Sequence, residues 1–452
     1  MGSVGIGCHQ PPSPWTFADF PRFREYRCSP ASSEQPDEAA RRLLRRFRPR
    51  LVVAPGAPWP IDFYRDYLPN AVLRDADQGG KIIATQVTRE VLQKEEDRVH
   101  AYVDLVRIPD LRREGKRPAV YGRVYREPVF FSDGQGKRVS RRFTFLKYNV
   151  VFARSGLPAG LPWVYETALR LMGLDPEDWH ELDNFCAIHM VLDEGEEPIA
   201  VLLAQHNHHR TYLIGPDLPL PSDGRIGFAA ALRSNELYPD RGETVPTFHR
   251  AIPWPLYLEY LVSGENGPWF TADDITYGRS AGGEGVEYEL QFLDPCDPFY
   301  TSRCMLGEYR PFFGLEIGRN GPPGADYYTL PELMPLGTLL KASCFRDGDD
   351  EDIQVVRAAV DPRRGRFDAA RLIQHGEQKL YRRLLALREG GSRDATARRQ
   401  VLRSRRPTMP TSGWAVCVST TRDRAGAEDR RVQVQHIPRH ASVRSLEKGE
   451  CK

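Results

Sequence analysis

The sequence predicts an α+β fold: an antiparallel β-sandwich core with a few peripheral helices and long loops. Three observations predict it. Runs such as AVYGRVYREPVFF and RRFTFLKYNVVFA are strand-like, and in the first Val120, Gly122 and Val124 alternate with Tyr121, Arg123 and Tyr125, the period of a strand with two different faces. Short polar connections, SDGQGKR and DEGEEP, join neighbouring runs as hairpins. Helical spacing is confined to a few segments, EAARRLLRRF, PWVYETALRLMG and FDAARLIQHGEQKLYRRLLALRE.

Taken in order, residues 1–35 read as an extended arm that packs, because Trp15, Phe17, Phe20, Phe23 and Tyr26 are too apolar for a disordered tail. Residues 36–252 read as the sandwich core. It opens with a helix from Asp37 that carries Leu43, Leu44 and Phe47 on one face and arginines on a solvated face, and Pro49 stops it. KIIATQV, HAYVDLVRI and the two longer runs follow as strands. PWVYETALRLMG is a helix with Gly173 where a C-terminal cap belongs. FCAIHMVLD and IAVLLAQHNHH then form a second hairpin, and IGFAAALRSNELY fits a strand or a short helix. Residues 253–389 read as a loop-rich region ending in a helix packed on the core through Leu372, Ile373, Leu380, Leu384 and Leu387. Residues 390–452 read as a basic linker followed by a hairpin of GWAVCVSTT and RRVQVQHIP.

The 452 residues, 40% hydrophobic, suffice for one large domain or two ordinary ones. A net charge of +2, from 63 basic and 61 acidic residues, argues against a dedicated nucleic-acid binder. No run is apolar enough to predict a transmembrane segment, and MGSVGIGCHQPPSPW lacks the features of a secretory signal. A cytoplasmic location is therefore expected, with secretion the alternative if the N-terminus was processed or replaced. The eight cysteines are scattered without a CxxC pair, so reduced thiols are expected, a Cys296–Cys304 bridge being the alternative in an oxidising compartment. The acidic DGDDED, Asp347 to Asp352, lacks the glycine and the distant glutamate of an EF-hand and reads as a solvated turn. The GxSxG, GxxxxGK[ST] and strand-to-helix GxGxxG motifs are absent.

Chemistry concentrates between His180 and His209, thirty residues that hold five of the eleven histidines. His180 and Asp183 fall on a connection before a strand, and His206, His208 and His209 fall at the end of its expected partner. An antiparallel pairing of the two would bring these ends together. On the expected alternation His206 and His208 share one face, and Gln205, Asn207 and His209 the other. Imidazoles plus one carboxylate suit a divalent metal ion, zinc, iron or manganese before calcium or magnesium, with His180, Asp183, His206 and His208 as ligands. Glu181 or His209 is then the candidate base. Arg210, Tyr212 and Gln205 are placed to clamp a substrate, the arginine through an anionic group. His189 reads as a hydrogen-bonded core histidine.

The order of the pieces carries a resemblance. PxxxxxPGAPWPIDFYRDYLPN, VYGRVYRE, FTFLKYN, HELDN and P-x-x-V-x-L-A-Q-H, between Arg48 and Tyr212, resemble a family of plant, fungal and bacterial proteins related to a vacuolar protein sorting factor, whose pattern includes HxGDWE and a later QH. His180, Asp183, Gln205 and His206 fall on matching positions, while Leu182, Asn184 and Phe185 replace the family's glycine, tryptophan and glutamate. A weaker likeness joins the chain to necrosis-inducing cytolysins, in which a similar His, Asp and Glu set helps hold a divalent metal used in binding sphingolipid sugars. With Phe185 in place of the glutamate, a metal carried over from that likeness needs His206 or His208. The resemblance implies a β-sandwich and no particular activity. Three functions follow as expectations: a metal-assisted hydrolase-type site at a sheet end, a non-catalytic module for a small-molecule, glycan or lipid-headgroup ligand, or an accessory protein of an assembly.

Overall fold

The computed structural model describes residues 37–98, 100–132, 136–156, 163–178, 181–182, 187–205, 208–240, 283–309, 319–320, 324–325, 336–345, 351–352, 354–355, 360–361, 366–367, 369–390, 413–422 and 428–437. The expected N-terminal arm and the basic linker up to residue 412 lie outside them. Two compact units divide the chain, Met1–Leu384 and Leu385–Lys452.

The first unit opens with α1 (Glu38–Arg46), started by the Asp37 carboxylate, which accepts from the Ala40 amide at 2.6 Å. Its apolar stripe buries Leu43, Leu44 and, at the C-cap, Phe47, while Arg42, Arg45 and Arg46 stay exposed. Strand β1 (Arg50–Val53) follows, then a turn over Phe63–Asn70 whose first amides, Tyr64 and Arg65, are capped by Asp62 at 2.9 Å each. β2 (Ala71–Asp75), β3 (Lys81–Ala84) and β4 (Ala101–Leu105) make a three-stranded sheet, order β3-β2-β4, with the short helix α2 (Arg89–Glu95) between its last two strands in sequence.

After a single turn, α3 (Leu111–Glu114), the two long alternating runs form β5 (Ala119–Ser132) and β6 (Arg138–Val150), an antiparallel hairpin paired from Val120–Val150 to Ser132–Arg138. α4 (Trp163–Leu171) ends as expected. Gly173 takes φ +77°, in the left-handed region that glycine adopts without penalty, and its amide reaches Arg170 O at 3.0 Å. β7 (Ala187–Leu192) and β8 (Pro198–Gln205) pair antiparallel, and β9 (His208–Leu213) turns back on β8. IGFAAALRSNELY resolves into two strands, β10 (Gly227–Ala230) and β11 (Leu237–Pro239).

The loop-rich region contributes two strands of three residues, β12 (Glu284–Val286) and β13 (Glu289–Gln291), too short for any periodicity to announce them. They complete a four-stranded sheet, order β11-β10-β1-β12, and a six-stranded sheet, order β13-β5-β6-β7-β8-β9. Both sheets are mixed rather than purely antiparallel: β1 runs parallel to β10 and β13 parallel to β5. The fold is α+β.

One core cluster draws Val120, Val124, Leu146, Ile188, Met190, Val201 and Leu203 from the six-stranded sheet. The four-stranded sheet adds Leu51, Val53, Phe228 and Ala230, and α1 adds Leu43, Leu44 and Phe47. A second cluster joins Tyr121 of β5 to Phe63, Tyr67, Leu73, Val103 and Leu182, and to Phe299 and Tyr300 of α5 (Pro298–Thr301). The first part of β5 thus sends Val120 and Val124 to the first cluster and Tyr121 to the second. Farther along, α6 (Leu336–Ala342) covers the strand, Gly337 lying against Val129. α7 (Ala369–Gly390) follows the predicted bounds, with Leu372 and Leu380 buried.

Two expectations are corrected. Cys296 is disulfide-bonded, and not to Cys304, which like Cys344 is a buried free thiol. Burial pushes both free thiols up from their ordinary range. Asp352 is not part of a solvated turn: it is fully buried and paired with His375 and Lys379, one turn apart on α7. The pairing is what makes a buried carboxylate tolerable. In the second unit, Gly413–Arg422 and Glu428–Ile437 form the expected terminal hairpin.

Candidate functional site

The antiparallel pairing of β7 and β8, Ile188 opposite Leu203, brings the start of one to the end of the other, as the sequence implied. His180, Asp183 and His206 lie outside the described residues, as do the side chains of His208 and His209. What the structure adds is the course of the chain past Gln205. Gln205 pairs with His208, Ala204 with His209 and Leu203 with Arg210, so the chain reverses direction between Gln205 and His208. The expected single strand through residues 205–210 is therefore corrected. The register sets His208 opposite Gln205, in place of the alternation expected along one strand.

Gln205, Arg210 and Tyr212, expected to touch a substrate, do come together. All three are buried on the face that looks toward the four-stranded sheet. Gln205 Nε2 donates to Leu237 O at 2.8 Å and approaches Tyr212 Oη at 3.4 Å. The Arg210 guanidinium stands 4.9 Å from the Tyr212 ring centroid. Next to them runs the segment before β11, in which Ser234, Asn235 and Glu236 are buried and both Arg233 and Asn235 adopt positive φ, 69° and 60°. Non-glycine residues take that conformation only where surroundings hold them. Here Arg233 O accepts from Gly156 N at 2.7 Å, Arg233 pairs with Glu166 at 2.8 Å, and Asn235 Nδ2 donates to Arg154 O at 2.9 Å.

Glu181, a candidate base by sequence, is placed elsewhere. It is buried, and its Oε1 accepts from Tyr67 Oη at 3.2 Å and from the Leu105 amide. The carboxylate thus ties the turn at Phe63–Asn70 to β4. Burial, with Glu181 beside it, pushes the Tyr67 phenol well up from its ordinary range.

The most unusual polar grouping on the sheet was not among the expected site residues. Arg123, Lys147 and His189 sit side by side on three adjacent strands, Arg123 opposite Lys147 and Lys147 opposite His189. Their neighbours Val124, Leu146 and Ile188 enter the first core cluster, so these three face the other way. None is more than 1% exposed. Tyr300 of α5 caps the row, its ring centroid 4.6 Å from the Arg123 guanidinium and 5.7 Å from Lys147 Nζ. Asn149, two residues along β6 on the same face, is fully buried, and among the described residues neither atom of its amide has a hydrogen-bond partner. The signal was present in YGRVYRE and FLKYN. Folding those runs into a hairpin sets two cations opposite one another, which sheets ordinarily avoid.

Among the described residues no group of three or more His, Cys, Asp or Glu is placed to hold a metal ion. No helix among them is long and apolar enough to cross a membrane. No family model matches the chain, and no curated protein matches it. One solved structure, NLPPya in complex with glucosamine, is similar over 46% of this chain and 70% of that one, at 13% identity and a TM-score of 0.22. A likeness that loose says nothing of this chain's ligand.

Proposed function

We propose that the chain is a ligand-binding module with a β-sandwich core, taking a sugar or lipid headgroup at the polar rim of the sheet end where β7 begins, β8 ends and β9 starts, above the buried Gln205, Arg210 and Tyr212. The observation that carries this reading is the gathering of Gln205, Arg210 and Tyr212 on one face beside a buried segment with two non-glycine residues at positive φ. Such strain persists where function needs a fixed geometry. Gln205 and Arg210 are fixed by Leu237 O and the Tyr212 ring before a ligand arrives, which lowers the cost of ordering on binding. The Cys296 disulfide supports an oxidising compartment for this module over the cytoplasm.

A second reading rests on the hairpin itself. It places His208 opposite Gln205 and His209 opposite Ala204, at the same end as the start of β7. There His180, Asp183, His206 and His208 would hold a divalent ion whose chemistry is to acidify bound water, with His209 as base, since the Glu181 carboxylate accepts from Tyr67 and Leu105.

One experiment separates the two. The full chain and its His180→Ala and Arg210→Gln variants are tested for retention on vesicles carrying anionic or glycosylated headgroups and on immobilised glycans, alongside elemental analysis of the purified protein. Weaker retention of both variants with no bound metal supports the rim alone. A stoichiometric transition metal lost in His180→Ala supports the second reading, and less than about a tenth of an equivalent removes it. Unchanged retention in both variants overturns the rim.

A further inference from the structure

We infer that the outer side of α1 is a docking ridge for a bilayer surface carrying anionic lipids, formed by Arg42, Arg45 and Arg46 with Arg41 beside them. The ridge uses none of the rim's residues, and it rests on the rim reading only for the choice of a bilayer over another polyanion. Residues 41–50, RRLLRRFRPR, hold six arginines and no carboxylate. Set against Asp37 and Glu38, those six leave residues 37–50 at a net +4 in a chain of +2 overall. Arg42, Arg45 and Arg46 are exposed. The carboxylates close by do little to cancel this charge. Asp37 caps the helix, and Glu38 meets Arg45 at 2.9 Å in a pair whose side chains are 73% and 56% exposed, where water screens the attraction. Asp223 stands 3.9 Å from Arg50, at the far end of the stretch.

The fold alone does not require this pattern. Leu43, Leu44 and Phe47 anchor the helix, and Arg45 and Arg46 in its last turn already complement the negative end of its dipole. Arg41 and Arg42 add the pairs Arg41–Arg45 and Arg42–Arg46, like charges four residues apart, a spacing that weakens a helix. A surface dense in negative charge relieves that repulsion. The ridge is also ordered in advance: Arg41 and Arg45 lie over one ring, Phe292, at 5.3 and 5.8 Å from its centroid. Position selects the bilayer. Tyr148 Oη donates to Leu44 O at 2.9 Å, and Tyr148 belongs to the cross-strand row of Gly122, Tyr148, Ile188 and Leu203, which on β8 lies just before Gln205. Ridge and rim therefore sit at the same end of the six-stranded sheet, and two contacts with one surface hold more tightly than either alone. A single strand of nucleic acid is held by stacking on open rings, whereas Phe292 lies under two arginines and Tyr288 under Arg48 at 4.0 Å.

The test is sedimentation of the full chain with vesicles of phosphatidylcholine, alone or with about 30% phosphatidylserine, as salt rises from about 0.05 M to about 0.5 M. Retention is expected only on the phosphatidylserine vesicles, and it is expected to fall as salt rises. The triple variant Arg42→Gln, Arg45→Gln, Arg46→Gln should bind them at least about thirtyfold more weakly, yet unfold no earlier than the parent, because like-charge pairs have been removed. Lysine at the same three positions should keep most of the affinity, since a bilayer surface attracts charge and does not require the guanidinium fork. Equal retention on both vesicle compositions overturns the ridge, as does undiminished retention of the glutamine variant. Arg210→Gln separates the two sites: unchanged retention in it removes the rim and not the ridge, and a loss confined to it does the reverse. Retention by duplex DNA and not by vesicles, abolished in the glutamine variant, overturns the bilayer and gives the ridge to a nucleic-acid backbone.

Discussion

Asp62 shows how much one side chain can organise. Its Oδ1 accepts from the amides of Tyr64 and Arg65 at 2.9 Å each and from Tyr121 Oη at 3.1 Å, and its Oδ2 accepts from Gln291 Nε2 at 2.6 Å. The carboxylate thereby joins a turn near residue 65 to the start of β5 and to β13, more than two hundred residues away. Tyr121 completes the arrangement by accepting from Phe63 N at 2.8 Å, and burial, with Asp62 beside it, pushes its phenol well above its ordinary range. Asp62→Ala removes a helix cap worth about 1 kcal/mol and leaves the buried Tyr121 hydroxyl and the partly buried Gln291 amide without their acceptor. The expected loss is about 3 kcal/mol in urea unfolding, with Asp62→Asn losing roughly half. A loss under about 1 kcal/mol for the alanine variant would show the hub to be ornamental. Nothing in PIDFYRDYLPN reveals this role, because two of the four partners, Tyr121 and Gln291, are fixed only by tertiary contact.

Among elements, what periodicity governs was readable. β5, β6, α1, α4 and α7 lie where alternation, capping residues and apolar stripes put them, since each is long enough for its pattern to repeat. β12 and β13 were hidden by their three-residue length, and the β8–β9 reversal by a histidine run that imitates one strand. Asn207 was the turn signal in that run, a residue type that favours short hairpin connections. A single glycine governs the approach of α6 and α7. A Cβ added at Gly376 would lie 1.7 Å from Lys341 O and 3.0 Å from Cys344 Cβ, so backbone meets backbone where the two helices touch. Nearby, Lys341 Nζ holds Glu377 at 3.0 Å and so keeps the helices in that contact. Gly376→Ala gains about 1 kcal/mol of helix propensity and loses more to forced separation. The expected net loss is about 2 kcal/mol, accompanied by faster modification of the buried Cys344 thiol. A variant stabilised by the propensity difference would mean the helices stand farther apart.

At the scale of the whole chain, the sequence pointed to a candidate site at one end of the sheet and missed the polar interior on its other side. His180 to His209 draws the eye because one residue type repeats, whereas Arg123, Lys147 and His189 are separated by dozens of residues and become a row only through register. Cysteine pairing is hidden for the same reason: scattered thiols without a motif reveal no partner. The Cys296 disulfide bears on where the chain works, because such bonds persist outside reducing compartments. Alkylating the protein in denaturant without reductant, then mapping labelled peptides, should find fewer than eight modified cysteines. Cys304 and Cys344 should be among the labelled ones, and Cys296 should be labelled only after reduction. Protein made in a reducing cytoplasm and protein made in an oxidising compartment should differ in this map, and only the second should match the fold. Eight labelled cysteines in both preparations would return the chain to the cytoplasm and remove the support the bond gives to a module acting at exposed headgroups or glycans.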